Sequence, residues 1–223
     1  MLTALGRLLA GPRDEAARAL LLPPAVAEAA LRANAVVRDT GTLPALRRYA
    51  GTVYAGLDYA ALDAAQRRVA ARTLITFSGL FGVVGGSEAV PDYRVPAKAV
   101  LPRVGVAATA WRPVLEQALP ALLGRGLVVD LRSSDYAAMW RPRGELAERT
   151  VRVRVLSPLP SGGTGVVSYP SKFAKGRLAA ALVRRAAAGD RVRTAADVAA
   201  TWLADGGVDA EVAGPDHVVI HTA

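Results

Sequence analysis

The sequence contains no cysteine, which excludes disulfides and thiolate metal sites. It has two histidines, His217 and His221, both near the C-terminal end. A zinc site or a histidine-based triad would have to draw on that one stretch. Aromatic residues are scarce, at 5%. Lysine is scarcer: Lys98, Lys172 and Lys175 are three among 28 basic residues, and the rest are arginine. No window of 18 or more residues is apolar and uncharged, which excludes a membrane-spanning helix. The apolar run at the start carries Arg7 in its middle, and Pro12, Arg13, Asp14 and Glu15 follow at once. A secretion signal places its charge before an unbroken apolar stretch, so none is read and a cytoplasmic location is expected.

What is present is a chain of 223 residues with 52% hydrophobic and 21% charged side chains, the composition of a folded globular protein. The net charge is +9, and it is localised. Residues 132–193 hold 13 basic side chains against 4 acidic ones, while the rest of the chain is neutral. An arginine-rich genome would spread cations along the whole sequence. Concentration in one region points to a partner bearing phosphates.

The first half reads as helical, over Arg13–Leu22, Ala25–Val37 and Pro44–Tyr49, with the longest helix over Ala60–Leu80. The second half brings strands. Leu127–Leu131 is a short buried run, and Val151–Val155 alternates strictly, with Arg152 and Arg154 on the solvent face. Gly165–Tyr169 is expected to pair with it in a long hairpin. A helix over Ser171–Ala188 follows, then one opened by Thr194 with Asp197 three residues on, as in a capping box. Val208–Ala213 and His217–His221 flank a Gly214-Pro215-Asp216 turn as a terminal hairpin. With no repeat and no linker, the expectation is one α/β domain over residues 1–223, helical in its N-terminal half and with a mixed sheet and helices in its C-terminal half.

Three segments carry candidate chemistry. Ser78–Ser87 is a glycine-rich turn after the long helix. Gly79 and Gly82 either free backbone amides for a phosphate, as in a helix-hairpin-helix element, or simply end the helix. Arg132, Ser133, Ser134 and Tyr136 follow a buried strand, where α/β sheets hold ligands. A serine N-cap for the next helix fits the same residues. Lys172, Lys175 and Arg177 open a basic helix, as a phosphate site or a solvated face. Trp111, Trp140 and Trp202 read as core anchors. A metal site resting on carboxylates alone is not expected, and neither is a cofactor.

Five short landmarks in order resemble the YaaA-type peroxide-stress-response family. They are Val53–Leu57; Ser78–Gly82 with Pro91–Arg94; Trp111; Val128–Tyr136; and Phe173–Arg177. The resemblance covers about residues 40–190. It implies a compact α/β fold with a basic cleft, binding to double-stranded DNA through a helix-hairpin-helix element, and a role in limiting oxidative DNA damage by restraining free iron. It also adds Arg94 to the set of expected phosphate contacts. Two departures stand out. The family's opening strand and its lysine turn have no counterpart here, so the sheet is expected to lack a strand. The family's Leu-Arg-Pro after the glycine turn is Val84-Gly85-Gly86. The alternative function is an enzyme on a nucleotide or nucleobase, with Ser133, Ser134, Tyr136 and Lys175 lining its pocket and Lys175 or Tyr136 moving the proton.

Overall fold

The computed structural model describes residues 1–222. In chain order the elements are α1 (Leu2–Leu9), α2 (Arg13–Ala19), α3 (Pro24–Ala35), β1 (Leu43–Pro44), α4 (Ala45–Arg48), α5 (Thr52–Leu57), α6 (Ala64–Thr73), β2 (Ile75–Ser78), β3 (Gly82–Gly85), β4 (Ala89–Val90), β5 (Val100–Leu101) and β6 (Gly105–Val106). There follow α7 (Ala107–Leu122), β7 (Val128–Asp130), α8 (Ser134–Ala137), α9 (Glu145–Glu148), β8 (Thr150–Pro158), β9 (Thr164–Gly165), α10 (Ser168–Ala187), α11 (Ala195–Ala204), β10 (Asp209–Gly214) and β11 (His217–His221). The fold is mixed α/β, as the sequence pattern indicates. Its elements gather into two compact units. One takes Met1–Arg48, Leu74–Leu122 and Arg132–Arg141; the other takes Tyr49–Thr73, Leu123–Leu131 and Pro142–Ala223.

In the first unit, α1 to α3 pack their apolar faces together, with Leu5, Leu8, Ala16 and Leu20 buried beside Leu80 and Leu101. Asp14 and Glu15 in the first turn of α2 complement the helix dipole. Three two-stranded ribbons complete the unit: β1–β4, β2–β3 and β5–β6. The expected long helix over Ala60–Leu80 is corrected here. The helix covers only Ala64–Thr73, and Ile75–Ser78 pairs antiparallel with Gly82–Gly85. Its late start has a local cause: Gln66 N donates to Asp63 Oδ1 at 2.9 Å, and Asp63 N donates to the Gln66 side chain at 3.1 Å. That reciprocal pair is a capping box. Its early end reflects β-branched Ile75 and Thr76 and aromatic Phe77, which suit a strand once a partner is available.

The second unit is built on a mixed sheet with the order β10-β11-β8-β7. β10 runs antiparallel to β11, while β11, β8 and β7 are mutually parallel neighbours. The alternation of β8 is as expected: Val151, Val153 and Val155 are buried, and Arg152 and Arg154 are exposed. The core behind them holds Leu178, Val198, Trp202, Val218 and Ile220. The expected long hairpin is reduced to two residue pairs, Ser157↔Gly165 and Pro158↔Thr164. The helix begins at Ser168 rather than Ser171, because Pro170 falls in the first turn, where no amide donor is needed. At Thr194 the capping box forms as read from the sequence. Trp140 and Trp202 are buried anchors, and Trp111 is half-buried.

Helices α5 and α10 approach closely through glycine. A Cβ on Gly56 would lie 2.1 Å from the Phe173 carbonyl oxygen, and one on Gly176 would lie 2.0 Å from that of Val53. Only backbone without side chains allows such a crossing.

Candidate functional site

The sequence-derived site residues divide between the units. Gly79, Gly82, Arg94, Arg132, Ser133, Ser134 and Tyr136 belong to the first, and Lys172, Lys175 and Arg177 to the second.

Gly79 and Gly82 sit at the tip of the β2–β3 hairpin, between two strands rather than two helices. The expectation of a helix-hairpin-helix at this turn is therefore corrected. Both glycines are buried, and each has a packing reason. A Cβ on Gly79 would lie 2.4 Å from the Val95 carbonyl oxygen. Gly82 has φ +77°, and a Cβ there would lie 2.8 Å from the Trp111 ring. Trp111 Nε1 donates to the Gly79 carbonyl at 3.0 Å, which ties α7 to the turn. Ser78 Oγ accepts from the amides of Leu80 and Phe81 and is bonded to the Tyr93 hydroxyl at 2.6 Å.

Arg94 is exposed, and Asn34 fixes its backbone. Arg94 N donates to Asn34 Oδ1 at 2.8 Å, and Asn34 Nδ2 donates to the Arg94 carbonyl at 3.0 Å. Arg132 is turned inward. Its guanidinium lies 4.3 Å over the Phe77 ring and donates to the Trp140 carbonyl at 3.0 Å. Ser133 is the N-cap residue of α8, but its side chain does not cap. Ser134 is exposed and Tyr136 half-buried. Asp135 pairs with Lys98 at 2.6 Å. Sequence spacing could not reveal that contact, because the partners lie far apart in the chain.

In the second unit Lys172 is exposed on α10, and Lys175 is half-buried one turn on. Burial holds the Lys175 amine below its ordinary value, and the Asp130 carboxylate partly opposes this. Arg177 is held at the far side of the helix by Asp205. Its Nη2 donates to the Asp205 carbonyl at 2.6 Å and to Oδ2 at 3.2 Å, and its guanidinium lies 5.1 Å over the Trp202 ring. Arg184, two turns on, bonds the other oxygen of the same carboxylate.

These two arginines line a cleft of about 310 Å³ within the second unit. One wall is α10, through Phe173, Arg177, Ala180 and Arg184, with Asp205 behind. The other is the end of α5 and the start of α6, including Asp58 and Gln66. Arg184, Asp205, Asp58 and Gln66 were missed in the sequence. The one signal, and for Arg184 alone, was the recurrence of Phe173, Arg177 and Arg184 on one face of a helix. Among the described residues no three His, Asp or Glu side chains group as a metal site, and no helix is long and apolar enough to cross a membrane.

The family described as "Peroxide stress protein YaaA" matches residues 4–199. A UPF0246 protein of Streptomyces coelicolor is 39% identical over 150 residues, covering 67% of this chain and 56% of that protein. One from Corynebacterium efficiens is 34% identical over 154 residues, covering 67% and 58%. The chain thus spans under two thirds of those two relatives. A UPF0246 protein of Corynebacterium glutamicum is 33% identical over 224 residues, covering 96% of this chain and 82% of the relative.

Proposed function

The chain belongs to the YaaA family of peroxide stress proteins, and from that membership we propose that it binds duplex DNA through its phosphates and so limits oxidative damage. The observation that carries this reading is the charge of residues 132–193, with 13 basic side chains against 4 acidic. A cationic stretch of chain without a base-reading module recognises backbone rather than sequence.

A second feature supports a particular place for the contact. Helices α10 and α11 are joined by a loop over 188–194, in which Gly189 has φ +90° and Arg191 and Arg193 are exposed. Two successive helices joined by a loop are what a helix-hairpin-helix contact would need, and on our reading this loop, far along the chain from the glycine turn that suggested one, is the place of contact. The amides of Arg193 and Thr194 donate to Asp197 Oδ2 at 2.8 and 3.1 Å. Those donors are spent on the helix cap, so phosphate contacts there fall to the guanidiniums of Arg191 and Arg193, with Lys172 and Arg154 as exposed cations of the same unit. Each charge-assisted contact to a phosphate is short and directional.

The test is a titration of the intact protein against a short labelled duplex of scrambled sequence at increasing salt. Binding at low salt should weaken steeply as salt rises, with the same slope for different sequences. No binding at low salt, or an affinity indifferent to salt, would remove the proposal.

A further inference from the structure

We propose that the cleft between α5–α6 and α10 binds a phosphomonoester attached to a nucleoside, either a free nucleoside monophosphate or the phosphorylated end of a strand. This reading does not rest on duplex binding.

The cationic wall is built before any ligand arrives. Phe173, Arg177, Ala180 and Arg184 follow one another at helical spacing along α10 and line the cleft. At 1.5 Å per residue the stripe is about 16 Å long, enough for a ring, a sugar and a phosphate in a row. The Asp205 side chain is 19% exposed and holds Arg177 and Arg184, whose side chains are 37% and 42% exposed. Two guanidiniums thus share one carboxylate, which leaves one positive charge over and most of their N–H donors unused by it. Each guanidinium carries five donors in a rigid fork suited to phosphate. Because Asp205 already orients them, less freedom is lost when a phosphate arrives.

The apolar end of the stripe suits a ring. Phe173 and Tyr169 are stacked, with centroids 6.5 Å apart and planes at 11°. They are 36% and 67% exposed, an unusual state for two neighbouring aromatic side chains in a chain with so few. A nucleobase stacks on such a surface whatever its sequence identity. From the other wall Asp58 offers a carboxylate and Gln66 its amide nitrogen, the amide oxygen being taken by the Asp63 backbone. A carboxylate accepts the hydroxyls of a ribose, as acidic residues do in dinucleotide sites. The volume of about 310 Å³ lies at the small end of ligand pockets and suits one nucleotide. Asp58 on the facing wall adds a negative charge to the cleft, so a bare phosphate is held weakly and the ring supplies the difference. The Gly56–Gly176 crossing sets the separation of the walls.

Calorimetric titration of the full chain tests this, with adenosine and guanosine 5′-monophosphates, adenosine, and inorganic phosphate as probes. The expected result is saturable one-site binding of a nucleoside monophosphate, at least tenfold tighter than adenosine or phosphate. Arg184→Ala should weaken it at least tenfold. Ala61→Phe, a substitution at an exposed lining position that leaves the Arg–Asp205 contacts in place, should block it. Arg68→Ala, which removes an exposed charge elsewhere in the same unit, should leave it unchanged. Thermal melts of each variant establish that it is folded. A duplex with and without 5′-phosphates separates the two sources: preference for the phosphorylated end assigns the site to strand termini, and no preference assigns it to the free nucleotide. Absence of saturable binding by every phosphorylated probe overturns the proposal. So does binding that neither Arg184→Ala nor Ala61→Phe changes. Internal duplex contacts are read independently from the salt dependence on unphosphorylated DNA.

Discussion

Gly56 and Gly176 meet backbone to backbone where α5 crosses α10, and a Cβ on Gly176 would lie 2.9 Å from the Gly56 carbonyl carbon. Nothing flexible stands in the way that could give. Gly176→Ala must push the two helices apart, and overpacking of this kind costs about 3 kcal/mol. Denaturant unfolding monitored by circular dichroism measures the loss. A change under about 1 kcal/mol would mean that the crossing yields.

Trp111 offers a gentler probe. Trp111→Phe removes the bond from Nε1 to the Gly79 carbonyl and trims the ring that packs on Gly82. The expected loss is about 2 kcal/mol, one such bond together with part of a half-buried ring. Gly82→Ala should cost more, since it combines φ +77° with a clash against the same ring. If the two substitutions rank the other way, the contacts of Trp111 rather than the backbone of Gly82 fix the turn.

The cap of α11 makes stability sensitive to acid. Hydrogen bonds from the Arg193 backbone and from Thr194 hold the Asp197 carboxyl below its ordinary 3.8. A lowered carboxyl stabilises the fold above its unfolded value, and that contribution is lost as pH falls from 3.8 through the lowered value. Asp197→Asn should flatten this part of the melting-temperature profile. Thr194→Ala should cost about 1 kcal/mol at neutral pH, as removal of an N-cap does. An unchanged acid limb in Asp197→Asn would place the sensitivity elsewhere.

Lys175 gives the same sign of pH dependence at the alkaline end, but from burial of a charge rather than from hydrogen bonds. Its folded value lies below 10.5, so the folded state holds its proton less tightly than the unfolded chain does. Stability therefore rises with pH between the lowered value and 10.5. Measured against Lys175→Met, wild type should gain relative stability across that alkaline window. A relative loss would show that the attraction of Asp130 outweighs burial.

Placement of the DNA interface is tested by charge-matched pairs. Arg191→Ala with Arg193→Ala should lower the slope of log affinity against log salt by about 2, near 0.9 for each phosphate no longer neutralised. Arg7→Ala with Arg13→Ala removes two exposed charges from the first unit and should barely alter the slope. Equal effects would leave only long-range attraction, without a defined site of attachment.

The parts legible in the sequence were those governed by local rules. The capping box at Thr194, the strict alternation of β8 and the turn at Gly214-Pro215-Asp216 each depend on neighbours in the chain. Strand β2 was misread because Thr73, Leu74 and Phe77 also fit a helical period, and four residues cannot distinguish the two. The glycine turn was visible as glycine, but its purpose was not. What Gly79 and Gly82 make room for, Val95 and Trp111, is supplied by tertiary packing. For the same reason Arg177 reads in the sequence as a phosphate contact or part of a solvated face, and its bonds to Asp205 are not foreseen there.

The chain moves between its two units at residues 48/49, 73/74, 122/123, 131/132 and 141/142, and this shapes its birth on the ribosome. All residues of the first unit have been made once Arg141 is added, but α5 and α6 belong to the second. The partner of α5 begins only at Ser168. At roughly 5–20 residues per second, α5 waits on the order of ten seconds for the helix against which Gly56 fits. From Arg141 until α10 is complete, a first unit whose residues have all been made is tethered to unfinished pieces of the second. A pause in translation before α10 would prolong their exposure to proteases and chaperones.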